Sequence, residues 1–557
     1  MILLGLADNH DAGAALVVDG KLVAACGQER IDRIKTSGAF PWGAIDAVLD
    51  RAGVRYRDVD RVAVGTGYTP SWFLRRFPDL HHKRKAHGDQ FDPALNAYVA
   101  YQVGLRRTGL YVQEVEACRR LLERRLMDRG FAKATVEMWD HHAAHAEAAY
   151  RTQPNLDCLV LTVDAMGDGI SNTAWLGRAG DLERHYAQSG FSAVNTYYSR
   201  VTQVLGFTPN RHEGKITGLA AYVDPPPALL THFRRQLRFT GRGFSRVNYL
   251  RPHSANDAFY GPLAKYSREQ VAAACQAILE EAVTDYVRHW VQTTGQSTVA
   301  VCGGIFANVK LNQRIAELEC VDQLTVFPNM GDGGLCAGAA LASAGVPPHE
   351  LESVYLGPTY SELDMSRALG VANLRPKRVT PDDVAELLAQ GKVVASFDGG
   401  MEFGPRALGN RSLLVRPDDP AVNQWLNERL ERSEFMPFAP MVRQEDAADL
   451  FIGWEKARQA SRFMTVCFDV VPERVDAIRG CVHVDGTARP QVVRQQDNPR
   501  CHAVLTAFQQ KTGLPALINT SFNMHEEPIV CSPGDAIRAW QRGHLDALWM
   551  GPFLVTQ

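Results

Sequence analysis

Apolar runs of strand length, separated by polar turns, open the chain. Ile2–Leu6, Ala14–Val18 and Leu22–Cys26 are such runs, each long enough for one strand. The turn Asp8-Asn9-His10-Asp11 divides the first pair, and Asp19-Gly20, a dipeptide suited to a tight hairpin, divides the second. The plan recurs downstream. Cys158–Val163 leads into the acidic turn Asp164-Ala165-Met166-Gly167-Asp168-Gly169, then Thr173–Gly177, Gly180-Asp181 and another short segment. Two such hairpins, each with an acidic turn after its first strand, predict an internal duplication. Helical spacing is predicted over 101–129, from Leu105, Leu110, Val112, Val115, Leu121, Leu122 and Leu126. It is also predicted over 268–293, from Val271, Ile278, Leu279, Val283 and Val287. A proline-containing stretch from Val346-Pro347-Pro348 to Gly357-Pro358-Thr359 reads as a linker. A mixed α/β pattern follows it, so domains of 1–352 and 353–557 are expected.

Composition narrows the class. A chain of 557 residues supports two or three cores, and 45% hydrophobic with 22% charged residues is the balance of a globular soluble protein. Sixty basic against 62 acidic side chains leave a net charge of −2. That gives no general attraction to nucleic acid or an anionic membrane, so neither is expected as a partner. No run of apolar residues is long enough for a membrane helix. An acid at Asp8 arrives too soon for a signal peptide. A cytoplasmic protein is expected. The eleven cysteines form no C-x-x-C pair, which argues against a zinc ribbon and for small buried apolar residues.

Candidate chemistry begins at Asp140-His141-His142-Ala143-Ala144-His145-Ala146. His141 and His145 are one helical turn apart on one face, a spacing that lets two imidazoles share a metal. Asp164 ends an apolar strand, and Asp332 lies in the flexible turn Pro328-Asn329-Met330-Gly331-Asp332-Gly333-Gly334. Two histidines and two aspartates suit Fe²⁺, Mn²⁺ or Zn²⁺. The turn Gly303-Gly304, after an apolar strand and before a helical run, allows close approach of a nucleotide, as does Gly167-Asp168-Gly169. No P-loop is present, so an ATP site must be of another type. In the second domain Arg406 and Arg411, among glycines, can present rigid forks to a phosphate or carboxylate. The later runs His483–Arg489 and Asn519–Asn523 add an arginine and hydroxyl and amide donors.

The order of duplicated hairpins, H-x-x-x-H, Glu213–Tyr222, Gly303-Gly304-x-x-x-Asn308 and Gly331-Asp332-Gly333 resembles the antibiotic and nodulation-factor O-carbamoyltransferases across essentially the whole chain. The resemblance implies an actin/Hsp70/sugar-kinase-like (ASKHA) duplicated α/β domain, followed by a YrdC-like α/β domain. It implies one iron-type ion on His141, His145, Asp164 and Asp332, in contact with ATP phosphates, with Mg²⁺ also accompanying ATP. It places Lys215 and Asn308 with the glycine turns at the nucleotide and makes His10 the general base. In the second domain, carbamoyl phosphate and ATP would form a carbamoyl-adenylate, with Arg406, Arg432, Arg489, Ser521 and Asn523 as contacts. One departure stands out. The family run K-x-R-E-x-[FW]-R-P reads Leu430-Glu431-Arg432-Ser433-Glu434-Phe435-Met436-Pro437 here, which leaves Arg429 as the substitute cation. The implied acceptor is a hydroxylated small molecule whose identity is not legible, and neither is the oligomeric state. The segment Tyr68 to Gly109 reads equally as an acceptor pocket or a surface helix pair. A fused tRNA threonylcarbamoyl-adenosine synthase is opposed by the near-zero charge, and a hydrogenase-maturation enzyme by the missing C-x-x-C pairs. An actin/Hsp70-type binding protein without transfer chemistry is set apart by ATP turnover that requires carbamoyl phosphate.

Overall fold

The computed structural model describes residues 1–78, 93–245, 260–431 and 437–556. The opening hairpins form β1 (Ile2–Ala7), β2 (Gly13–Val18) and β3 (Lys21–Gly27), joined by β4 (Arg61–Val64) and β5 (Thr135–Met138) in the order β3-β2-β1-β4-β5. β1 runs antiparallel to β2, with Leu4 opposite Leu16, and parallel to β4, with Leu4 opposite Val62. The second set is β6 (Cys158–Gly167), β7 (Ile170–Arg178), β8 (Asp181–Ser189), β9 (Thr298–Cys302) and β10 (Gln323–Val326), in the order β10-β9-β6-β7-β8. β6 is antiparallel to β7 and parallel to β9. Both sheets therefore have the same order and strand sense, and the duplication predicted from the hairpins is present.

Each half sends a helix from its fifth strand to the middle of the domain. His141–Arg151 follows β5, Leu335–Ala344 follows β10, and the two pack together. Leu335 to Ala342 are buried throughout, as expected of a small-residue helix clamped between two layers. The halves thus meet where the His and Asp motifs lie.

The predicted helix over 268–293 is Arg268–Thr294, begun by a Ser267/Gln270 capping box. The single helix predicted over 101–129 is instead two, Pro93–Thr108 and Tyr111–Arg129. The Thr108 hydroxyl donates back to the carbonyls of Gly104 and Leu105 and closes the first before Gly109. Leu110 and Val112, used in that periodicity, are exposed.

Residues 346–361 contain no helix or strand. Beyond them, β11 (Lys377–Arg378), β12 (Val394–Phe397), β13 (Arg411–Val415) and β14 (Ala439–Arg443) share a mixed sheet with later strands. After the small pair β15 (Phe468–Asp469) and β16 (Thr487–Ala488) come β17 (Gln491–Val493), β18 (Ala516–Ser521), β19 (Ala547–Met550) and β20 (Phe553–Thr556). The order of this larger sheet is β11-β20-β19-β12-β13-β18-β14-β17.

Helix Val309–Ala316 forms a polar seam with this part. Val309 O accepts from Cys467 N at 3.1 Å, Lys310 Nζ donates to Asp485 Oδ2 at 2.8 Å, and Asn312 Nδ2 donates to Thr465 O at 2.7 Å. Among the described residues no helix is long and apolar enough to cross a membrane. All eleven cysteines are unpaired and all but Cys320 are buried.

Candidate active site

The Asp140 side chain caps helix His141–Arg151, accepting from the amides of His142 and Ala143. The cap starts the helix at His141, so His141 and His145 face inward one turn apart. Asp164 reaches them from the end of β6, and Asp332 from the turn before helix Leu335–Ala344. His141 Nε2 lies 3.1 Å from Asp164 Oδ2 and 3.6 Å from Asp332 Oδ1. His145 Nε2 lies 3.7 and 3.6 Å from the same oxygens. All four residues are buried.

These spacings fit a cation. Ligand bonds of about 2.0–2.2 Å in a tetrahedral site put neighbouring donor atoms about 3.4 Å apart. Among the described residues the buried His145 Nε2 has no hydrogen-bond partner, because the carboxylates sit beyond hydrogen-bond reach. The four side chains could therefore hold a metal ion.

Electrostatics agree. Burial opposes charge on His141 and His145, yet neighbouring groups raise both above the usual histidine value. Asp332 and Asp164 raise His141, and Cys302, Asp164 and Asp332 raise His145. Burial likewise opposes charge on Asp164, but the two imidazoles hold it well below the usual carboxylate value. His142 is a different kind of histidine. Its Nε2–H donates to Ile170 O at 3.0 Å and its Nδ1 accepts from Thr162 Oγ1 at 2.7 Å. Burial, then His141 and His145, push it down to about 3. It is a neutral packing residue.

His10 stands beside this cluster, with Nδ1 3.3 Å from Asp332 Oδ2 and a side chain 40% exposed. Asn9 Nδ2 donates to the same Oδ2 at 2.7 Å. Asp332 thus turns Oδ1 to the histidine pair and Oδ2 to the first-strand turn. Asp8 in that turn is engaged elsewhere. Arg75 Nε and Nη2 donate to its two oxygens at 2.8 and 2.9 Å, both side chains being buried. Arg75→Met should leave a buried carboxylate without its partner and lower the stability of the fold by about 3–5 kcal/mol. Urea denaturation followed by tryptophan fluorescence measures it; a loss below about 1 kcal/mol would count against a buried pair.

The turn after β6 differs from its expected role. Asp168 accepts from the amides of Gly67, Tyr68 and His141 at 2.7, 2.8 and 2.9 Å. Its carboxylate ties three segments together and is not presented to a ligand. Gly167 is a packing position, because a Cβ there would lie 2.0 Å from the His141 ring. Gly169 closes the same turn, its carbonyl accepting from Gly190 N. Asn308 is interlocked with Gln276 in both directions, Nδ2 to Oε1 at 2.8 Å and Nε2 to Oδ1 at 3.2 Å, and it also caps helix Val309–Ala316. Lys215 is buried, with its ammonium 5.7 Å over the Phe207 ring. Gly304 N donates to Asp164 Oδ1 at 3.2 Å, which joins the Gly303-Gly304 turn to the His/Asp cluster.

A cavity of about 870 Å³ opens along the seam, lined by Gln276, Glu280 and Lys310 on one side and Phe438, His483 and Arg489 on the other. Gln276 and Glu280 were not legible in the sequence, where only the apolar face of their helix stood out. Arg489 lies beside Arg406. The Arg489 charge, then burial, pulls the Arg406 guanidinium down to about 9, and burial lowers Arg489. The Nε of each is shielded and has no hydrogen-bond partner among the described residues. Two adjoining cations whose Nε atoms are left unpartnered among the described residues could hold an anion. Arg411, read from sequence as a second fork, is instead fully buried over the Phe397 ring, donating to the carbonyls of Asp398, Asn410, Pro358 and Gly399. Arg429, read from sequence as the substitute cation, pairs with Asp546 at 3.3 Å. Leu430 is a core residue, while Arg432 and Met436 lie outside the described residues, as do 79–92 of the Tyr68–Gly109 segment. Ser521 ends β18 opposite Ser412. Asn523 Nδ2 donates to the carbonyls of Met524 and Glu527.

Comparison with known proteins bears on the whole chain. Residues 2–341 match the family model of the carbamoyltransferase N-terminus, and residues 385–557 that of the carbamoyltransferase C-terminus. An uncharacterized protein of Methanocaldococcus jannaschii is 34% identical over 76% of this chain and 74% of its own length. A second from that organism is 27% identical over the full length of both. Nodulation protein NolNO of Sinorhizobium fredii is 30% identical over 98% of this chain and 79% of its own. The chain belongs to the carbamoyltransferase family and is a carbamoyltransferase.

Proposed function

We propose that this enzyme is an ATP-dependent O-carbamoyltransferase that uses carbamoyl phosphate, through a carbamoyl-adenylate, to carbamoylate a hydroxyl of a small natural product. The observation that carries the reading is His10, half-exposed and held by Asp332 at the edge of the buried His/Asp cluster. Residues 1–352 form the transfer domain and 353–557 a YrdC-like domain that makes the adenylate. Arg406 and Arg489 hold the anionic donor, with Arg432, Ser521 and Asn523 completing that site. The nucleotide of the first domain lies against Gly303-Gly304, near Lys215 and Asn308. His141, His145, Asp164 and Asp332 hold one ion, Fe²⁺ in this reading, and Mg²⁺ accompanies ATP. Bound there, the ion supplies positive charge toward nucleotide phosphates.

In the transfer step the acceptor oxygen attacks the carbamoyl carbon while His10 takes its proton. The bond to the adenylate oxygen breaks and AMP leaves with the electron pair. Asp332 orients the imidazole for this and stabilises the cation that forms. Juxtaposing donor and acceptor removes much of the entropic barrier.

Pyrophosphate release that requires carbamoyl phosphate, with a mass gain of one carbamoyl group on a hydroxylated acceptor, tests the reading. ATP turnover indifferent to carbamoyl phosphate would overturn it. Arg489→Ala should raise the KM for carbamoyl phosphate by about 10- to 10²-fold, the value of one charge-assisted hydrogen bond. The same change relieves repulsion on Arg406, so thermal stability should hold or rise. A variant that melts early with an unchanged KM would make Arg489 structural.

A further inference from the structure

The turn Cys302-Gly303-Gly304 touches the supports of three of the four cluster residues. Gly304 N donates to Asp164 itself. Gly303 N donates to Met330 O at 2.7 Å, bracing the loop that carries Asp332. Gly303 has φ +115°, and a Cβ there would lie 2.2 Å from Val163 O, so only glycine lets this turn come so close to β6. The third support is a side chain. Cys302 Sγ lies 3.3 Å from His145 Nδ1 and 3.3 Å from Met330 O, with the residue fully buried.

These two contacts assign a proton. The Met330 carbonyl can only accept, so the thiol hydrogen goes to it, and sulfur is left to accept from His145 Nδ1–H. A neutral imidazole protonated on Nδ1 carries its lone pair on Nε2. That is the nitrogen facing Asp164 and Asp332. His141 has no such contact, since its buried Nδ1 lacks a partner among the described residues; its ring is placed by contact with Gly167 and by Asp164. The two histidines are therefore held by different means.

We propose that Cys302 is a positioning residue of the ion site, its buried thiol holding the His145 imidazole in the tautomer and rotation that aim Nε2 at Asp164 and Asp332. This rests on the reading of the four residues as ion ligands. Groups that orient a metal-bound histidine through its second nitrogen commonly change metal affinity by about 10- to 100-fold when removed. A serine hydroxyl can accept from Nδ1–H and donate to Met330 O as the thiol does, whereas alanine can do neither.

The full-length protein, stripped with a chelator, is titrated with Co²⁺. Affinity is read by chelator competition, coordination by the visible d–d absorption, and folding by the melting curve of the metal-free chain. Cys302→Ser should bind Co²⁺ within about threefold of wild type with the same absorption envelope. Cys302→Ala should bind about 10- to 100-fold more weakly with an altered envelope, while its metal-free melt stays cooperative. Wild-type affinity and envelope in Cys302→Ala would overturn the proposal. Equal weakening in both variants would overturn it too, since packing volume and not hydrogen bonding would then be the cause. If wild type itself binds no Co²⁺, the ion reading fails along with it, and the wild-type titration alone reveals that case.

Discussion

His10→Ala should stop carbamoylation of the acceptor while carbamoyl-phosphate-dependent pyrophosphate release continues. The imidazole touches Asp332, within the region matched by the carbamoyltransferase N-terminus, and the arginine pair assigned to the donor lies within the region matched by the C-terminus. The half-reactions should therefore separate cleanly. Removing a general base costs about 10²–10⁴ in rate, so residual transfer is measurable with a sensitive product assay. His10→Asn should do no better, because an amide keeps shape and polarity but cannot take the proton. The two steps are assayed apart, pyrophosphate for the first and product mass for the second. Transfer at the wild-type rate would exclude His10 as the base. Asp11 would then be the remaining candidate in the turn, since Asp8 is buried against Arg75.

Much of this arrangement is local and so was legible. Both opening hairpins appear because each apolar run is a single strand followed by a short polar turn, and strand and turn preferences act over a few residues. The His141–His145 pair is legible for the same reason, as one helical turn fixes its geometry. What escaped depends on partners distant in the chain. Asp168 looks like a ligand because it is an acid between glycines, but its donors come from Gly67, Tyr68 and His141. Arg406 and Arg411 lie in one run, yet Arg411 faces inward into backbone carbonyls while Arg406 meets Arg489. No periodicity separates them. Asn9 on Asp332 and Cys302 on His145 are likewise contacts between elements that only the packed halves bring together.

Asp332→Ala should have the largest effect of any single change, because one carboxylate serves both functions of the site. Its Oδ1 faces both histidines and its Oδ2 faces Asn9 and His10. The variant should lose the bound ion on purification and lose transfer at least as fully as His10→Ala. Asp332→Asn should not restore the ion, since a neutral amide cannot offset its charge.

The pH dependence gives a second, independent reading. His141 and His145 are raised above the ordinary histidine value, with Asp332 among the causes. Protons therefore compete with the ion, and wild-type ion affinity should climb as pH rises through neutrality, with protons released on binding. In the metal-free chain the signs run the other way. Stability drawn from the protonated histidines is complete below about pH 6.5 and is lost as pH rises through their raised values. Asp164, depressed in the fold, adds stability above about pH 3.9 that disappears only under stronger acid. The stripped protein should thus be most stable under mildly acidic conditions. Returning the ion at a hundred times its Kd should add about 2.7 kcal/mol and move the optimum toward neutral pH. In Asp332→Ala the histidines lose one of the charges that raise them, so the metal-free optimum should flatten and the added ion should leave it in place. Melting curves across pH, with and without Co²⁺, decide this. An ion-dependent shift as large in Asp332→Ala as in wild type would remove Asp332 from the ligand set.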